Sequence, residues 1–160
     1  MPLDDTTPID ARELVLVREI DAPADTLFRC WTEPELMKQW FAPKPWEVPH
    51  VEVDLRPGGR SLIVMRGPDG AEMPNPGVYL QVVPGRKIVF TDAYTEGWVP
   101  SEHPMFTGII EFQDLGNGRT RYIARARHWS AEACKQHEEM GWHEGWGVCA
   151  DQLAALAKTL

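Results

Sequence analysis

Two spacings of apolar positions divide this chain. From about Ser130 to Leu160, Trp142, Trp146, Cys149, Leu153, Leu156 and Leu160 recur every three or four residues, which places them on one stripe of a long helix. Between His50 and Trp129 the pattern changes to short runs of β-branched and aromatic residues broken by glycine and proline, the signature of strands joined by turns. A helix with one apolar stripe has to bury it, and the only large partner is a sheet. The pattern predicts an antiparallel sheet wrapped around a terminal helix, an arrangement that leaves room for a hollow.

The remaining elements follow from local signals. Leu14 to Ile20 reads as a first strand, and Pro23 marks a helix start that carries Leu27, Phe28 and Trp31 on one face. That helix stops near Thr32. Thr32 with Glu35 has the spacing of a capping box for a second short helix, on which Leu36 and Trp40 share a face. Strands are then expected at Val48 to Leu55, Arg60 to Arg66, Gly77 to Val83, Lys87 to Asp92, Met105 to Phe112 and Arg119 to His128. The turn signals Gly67-Pro68-Asp69-Gly70 and Gly116-Asn117-Gly118 separate two of the pairs. The longer connection between Ala93 and Pro104 holds Tyr94 and Trp98; it reads either as a lid or as packing over a sheet edge.

Face assignments locate the hollow. In the last strand Arg121, Ile123, Arg125 and Arg127 alternate with Tyr122, Ala124, Ala126 and His128, so the arginines are expected in water and the second set on the concave side. Two alanines opposite a helix leave space. In the third strand Ser61, Ile63 and Met65 alternate with Leu62 and Val64, so periodicity alone does not choose the face; the former set is taken as inward. Upstream of Trp142 the helical stripe turns polar, with Lys135 and Glu138 either at the cavity mouth or overhanging into solvent. Gly145, beside two tryptophans, would admit a ligand or a closely packed strand.

Composition narrows the function classes. At 160 residues the chain can bury a core without metal or disulfide staples, and it reads as one domain over residues 12–160 after a flexible extension, residues 1–11. Lysine and arginine total 16 against 24 acidic residues, and a net charge of -8 argues against nucleic acid and anionic membranes as partners. Cys30, Cys134 and Cys149 form no CxxC pair, and neither a signal peptide nor a membrane-length run is present, so a cytoplasmic protein is expected.

Catalytic motifs are sparse. His137, Glu138, His143 and Glu144 suggest zinc, but HExxH needs histidine where Gly141 stands, and two histidines about 120° apart on a helix do not share a metal. They are expected to be exposed. No phosphate loop, dinucleotide fingerprint or GxSxG elbow occurs, so no metal or cofactor is expected and no catalytic residue is assigned. Cys149 reads as a small hydrophobe, with a nucleophilic role as the alternative. His128 is either a general base on the concave face or a partner for nearby backbone.

Several motifs stand in a familiar order: Ala22-Pro23, Trp31-Thr32-Glu33-Pro34, Trp40-Phe41, Leu55-Arg56-Pro57-Gly58-Gly59-Arg60, Gly67-Pro68-Asp69-Gly70, Gly77-x-Tyr79, and Gly141-Trp142 ahead of Leu153. Over about residues 12 to 160 the chain resembles the activator of heat-shock-protein ATPase homologue-like family, within the START-like or SRPBCC helix-grip superfamily. The resemblance implies an α+β helix-grip fold: a curved antiparallel sheet of six to seven strands around a long C-terminal helix, with two short helices after the first strand. It implies a hydrophobic ligand cavity and supplies no fixed catalytic set. The eukaryotic co-chaperones of the family join such a domain to a second one for which this chain has no room. Ser61 stands where a bulkier residue is expected, which enlarges or polarises the pocket.

The first functional expectation is a binding protein for a small hydrophobic or aromatic molecule, its site drawn from Trp40, Phe41, Met65, Phe90, Tyr94, Trp98, Tyr122, His128, Trp142 and Trp146. With seven tryptophans to pack, at least half of these aromatics are expected to be core filler. The alternatives are a cyclase-, aromatase- or hydrolase-like enzyme in which His128 or Tyr122 moves protons, and an interaction module for a chaperone or other protein. Whether any reaction is catalysed, and whether the chain forms a homodimer, stay open.

Overall fold

A computed structural model describes residues 7–160; the first six residues of the expected extension lie outside the described residues. Strand β1 (Glu13–Ile20) is followed by helices α1 (Ala24–Thr32) and α2 (Pro34–Met37). Strands β2 (Glu47–Val53), β3 (Arg60–Arg66), β4 (Glu72–Val83) and β5 (Lys87–Thr91) come next. The connection after β5 folds into a small hairpin, β6 (Tyr94–Thr95) and β7 (Val99–Pro100). Strands β8 (Thr107–Gly116) and β9 (Arg119–Arg127) lead into helices α3 (Ala131–Glu139) and α4 (Trp142–Ala157).

Seven strands form one antiparallel sheet in the order β1-β9-β8-β5-β4-β3-β2. Strands β1 and β2 are neighbours in sequence but occupy opposite edges. The chain between them, with α1 and α2, therefore crosses the concave face and carries Trp31, Trp40 and Phe41 into the interior. Register irregularities at Glu47/His50, Tyr79/Gln81 and Asp114/Gly116 supply local bends of the kind that curl a sheet. This is the helix-grip architecture. Gln152 of α4 fastens the elbow after α2: its amide donates to the carbonyls of Trp40 and Ala42 at 2.9 and 2.8 Å and its oxygen accepts from Lys44 N–H at 3.1 Å.

Several local expectations are corrected. The terminal helix is not continuous: α3 ends at Glu139 and α4 begins at Trp142, with Gly141 between them at φ +96°. A left-handed glycine just past a helix end terminates it, and the helical phase restarts beyond. Lys135 and Glu138 are consequently exposed, while Cys134 and His137 turn inward. Leu160 lies past the end of α4 and is exposed. Thr32 does not cap α2; its hydroxyl donates back to the Phe28 carbonyl at 2.9 Å, and Glu33 stands at the N-cap with Pro34 in the first turn. Strand β2 ends two residues early, and β4 begins at Glu72 rather than Gly77.

The arginines of β9 do not all face water. Arg125 is buried, its guanidinium on Glu13 at 2.7 Å, and Arg127 pairs with the same carboxylate. Arg125 also donates to the Thr7 carbonyl at 3.0 Å, and Ile9 N–H donates to Glu13 at 3.1 Å, so the described part of the N-terminal segment lies over the convex face and covers this pair. A buried charge needs such pairing.

Candidate functional site

The concave face is not an empty cup. Trp31 of α1 meets Trp40 and Phe41 with ring centroids 5.1 and 5.2 Å apart, and Phe90 and Trp146 at 5.9 and 6.3 Å. Trp142 stacks on Trp146 at 5.5 Å. The alanines of β9 leave room, but that room is taken. Ala126 lies opposite Gly108 of β8, and Gly108 opposite Phe90 of β5, whose ring lies across the glycine only 2.3 Å from where a β-carbon would sit. Small residues here seat an aromatic ring rather than a ligand.

The hollow is displaced toward the other half of the sheet. It has a volume of about 510 Å³ and is bounded by Ser61, Ile63 and Met65 of β3, Pro74 to Gly77 of β4, and Phe90 and Thr91 of β5. Its roof is Phe41 from the elbow, His137 of α3 and Trp146 of α4; its lip is Asp92, Ser101, His103, Met105 and Phe106. Phe106 sits 6.1 Å from Phe90 and 6.3 Å from Trp146, both edge to face, so three rings form one apolar corner. The size is that of a pocket for a small organic molecule.

Of the residues singled out from sequence, Phe41, Met65, Phe90 and Trp146 border the hollow. Trp40 does not: it is buried, its indole N–H on the Cys30 carbonyl at 2.9 Å. Tyr122 is sealed behind Trp31, whose indole donates to its hydroxyl at 3.1 Å, and burial drives the phenol far above its ordinary value. Trp142 belongs to the core, and its buried indole N–H has no partner among the described residues. Tyr94 and Trp98 lie on the exposed β6–β7 hairpin, where Trp98 covers Gly58 instead of the hollow. Their connection still reaches the site, through Ser101, His103 and Met105. Gly145 admits neither strand nor close contact; nothing approaches within 4 Å of its β-carbon position.

His128 is one step removed. Its Nδ1 lies 3.0 Å from the Arg12 carbonyl and its Nε2 lies 2.8 Å from Nδ1 of His137, which does border the hollow. Sequence reading placed His137 in solvent because it assumed an unbroken helix; with the break at Gly141, the ring is half-buried and contacts Phe106 at 5.3 Å. Burial, then the adjacent His128, lower its pKa from 6.5 to about 4, so it is uncharged at neutral pH. Across the lip, Asp92 accepts from the N–H groups of Met105 at 2.9 Å and Phe106 at 3.2 Å, latching that segment, while burial raises its pKa. The Cys149 thiol is pushed up to about 12 by burial and is no nucleophile at neutral pH.

A second depression, about 770 Å³, is lined by Pro23 to Asp25 at the start of α1, the Val83–Lys87 turn and the end of β8 with the turn into β9. It is an open furrow whose walls carry side chains of both charges. Among the described residues, no group of three or more His, Cys, Asp or Glu is placed to hold a metal ion. No helix there is long and apolar enough to cross a membrane.

The fold and motifs have a match in sequence. A family model described as Activator of Hsp90 ATPase homolog 1-like protein covers residues 21–158. The chain belongs to this family. No curated protein matches it. Among solved structures, a Nitrosomonas europaea protein is 43% identical with a TM-score of 0.90, the alignment covering 94% of this chain and 97% of that one. A Mycobacterium smegmatis protein is 28% identical with a TM-score of 0.77, covering 93% and 92%. An AHSA1-like protein from Aeromonas hydrophila, 17% identical with a TM-score of 0.67 over 91% and 93%, shares the fold.

Proposed function

We propose that this member of the family binds a small hydrophobic, aromatic molecule in the hollow between β3–β5 and the terminal helices. The observation that carries the reading is the aromatic corner of Phe90, Phe106 and Trp146 facing a space of about 510 Å³. Edge and face positions are both offered there, which suits a flat ring. Ser61 and Gly77 keep the opposite wall open. Titration with a panel of aromatic compounds is expected to quench tryptophan emission, since Trp146 borders the space, and to raise the melting temperature. Ser61→Phe is expected to fill the space and weaken binding at least tenfold. A panel that moves neither emission nor melting temperature removes the proposal.

An enzyme with Tyr122 or His128 as proton carrier is less well supported, because neither borders the hollow. A protein-binding role would rest on the exposed Tyr94, Trp98 and Val99 of the β6–β7 hairpin. Capture of a partner that is lost on Trp98→Ser would support it.

A further inference from the structure

The hydrogen-bond chain behind His137 specifies which end of a ligand it will accept. The Arg12 carbonyl can only accept, so Nδ1 of His128, 3.0 Å away, carries the proton. In the uncharged ring its Nε2 is then a bare acceptor, and the 2.8 Å contact to His137 requires Nδ1–H of His137 as donor. Nδ1 of His137 is thereby turned away from the hollow and protonated. Nε2, across the ring from Nδ1, is left with its lone pair and no hydrogen bond to another described residue, on a side chain that lines the space. A backbone carbonyl, acting through the imidazole of His128, has set the tautomer of His137, which it does not touch.

The charged groups at the rim narrow the ligand chemistry. No lysine or arginine borders the hollow, and its lip carries the Asp92 carboxylate and the His103 imidazole. A carboxylate, phosphate or sulfate ligand would find no lysine or arginine to pair with and one like charge in Asp92. An amine would have Asp92, part of whose acceptor capacity Met105 and Phe106 N–H already occupy.

We infer that the ligand is an uncharged aromatic carrying an acidic hydroxyl, a phenol or enol, whose O–H donates to Nε2 of His137 while its rings lie in the corner of Phe90, Phe106 and Trp146. The inference rests on the reading of the hollow as a ligand site and names the class of ligand it would take. Burial that keeps His137 uncharged also keeps Nε2 available at neutral pH.

Three probes of one shape separate the claims: naphthalene, 2-naphthol and 2-methoxynaphthalene, titrated at pH 7 with tryptophan quenching and calorimetry as readouts. 2-Naphthol is expected to bind at least tenfold more tightly than either other probe, and His137→Phe to remove that preference while naphthalene affinity persists. Long-range proton–nitrogen NMR of the unaltered protein is expected to show His137 protonated at Nδ1 and bare at Nε2, a test that needs no variant to fold. Equal binding of all three probes overturns the hydroxyl proposal and leaves the binding site standing. Preference for the methoxy compound, or an Nε2–H tautomer at His137, overturns it too, since the ring would then be a donor. Binding by none of the probes overturns both the hydroxyl proposal and the binding reading beneath it.

Discussion

His137 shows how far surroundings can move a side chain from its ordinary chemistry. Its pKa falls from 6.5 to about 4, first through burial and then through the neighbouring His128. Between those two values the unfolded chain binds a proton at this position and the folded chain does not, so this group makes stability rise with pH across the window. Acidification from pH 7 to 4.5 is therefore expected to cost the wild-type protein more stability than His137→Gln, read as the shift in urea midpoint at each pH. The ring is half-exposed, which tempers the size of the effect without changing its sign. Equal shifts in both proteins would show that His137 takes its proton in the folded state as readily as in the unfolded one. Arg125 makes a similar point with the opposite outcome: strict alternation placed it in water, yet residues far upstream cover it and Glu13 supplies the counter-charge.

At the scale of elements, the junction of α3 and α4 decides which side chains reach the hollow. An unbroken helix would put Lys135 and Glu138 in line with Trp142; the left-handed Gly141 resets the phase and brings His137 in instead. A residue with a β-carbon is disfavoured there by about 1 kcal/mol or more. Gly141→Ala is expected to lower the urea midpoint by a corresponding amount. An unchanged midpoint would mean that α3 and α4 merge at no cost, and His137 would then leave the cavity wall. Strands behave more simply. Their existence and alternation were readable because the period of two is tied directly to which face is covered, whereas Thr32 was misread as a cap because a short sequence signature does not say which backbone N–H its hydroxyl will meet.

At the scale of the whole molecule, Trp31 joins the layers, since its ring meets Trp40, Phe41, Phe90 and Trp146 and its N–H satisfies the buried Tyr122 hydroxyl. Trp31→Ala is expected to cost about 3–5 kcal/mol in urea unfolding, from lost packing and an orphaned hydroxyl; a loss below about 1 kcal/mol would show that the interior collapses freely around the gap. The sequence by itself determined the α+β class, the strand order along the chain and the concave set of β9, because periodicity records which side of an element is buried; in β3, where both faces are apolar, the structure chose Ser61, Ile63 and Met65. It also carried the ordered motifs by which the family is recognised. Only the tertiary structure decided where the space lies. Ala124 and Ala126 pointed to a void beneath the terminal helix, but a void is what remains after side chains from several elements compete for the same volume. Phe90 over Gly108 and Trp31 from the crossing helix won that competition, which left the hollow beside Ser61 and Gly77 and placed His137 on its wall.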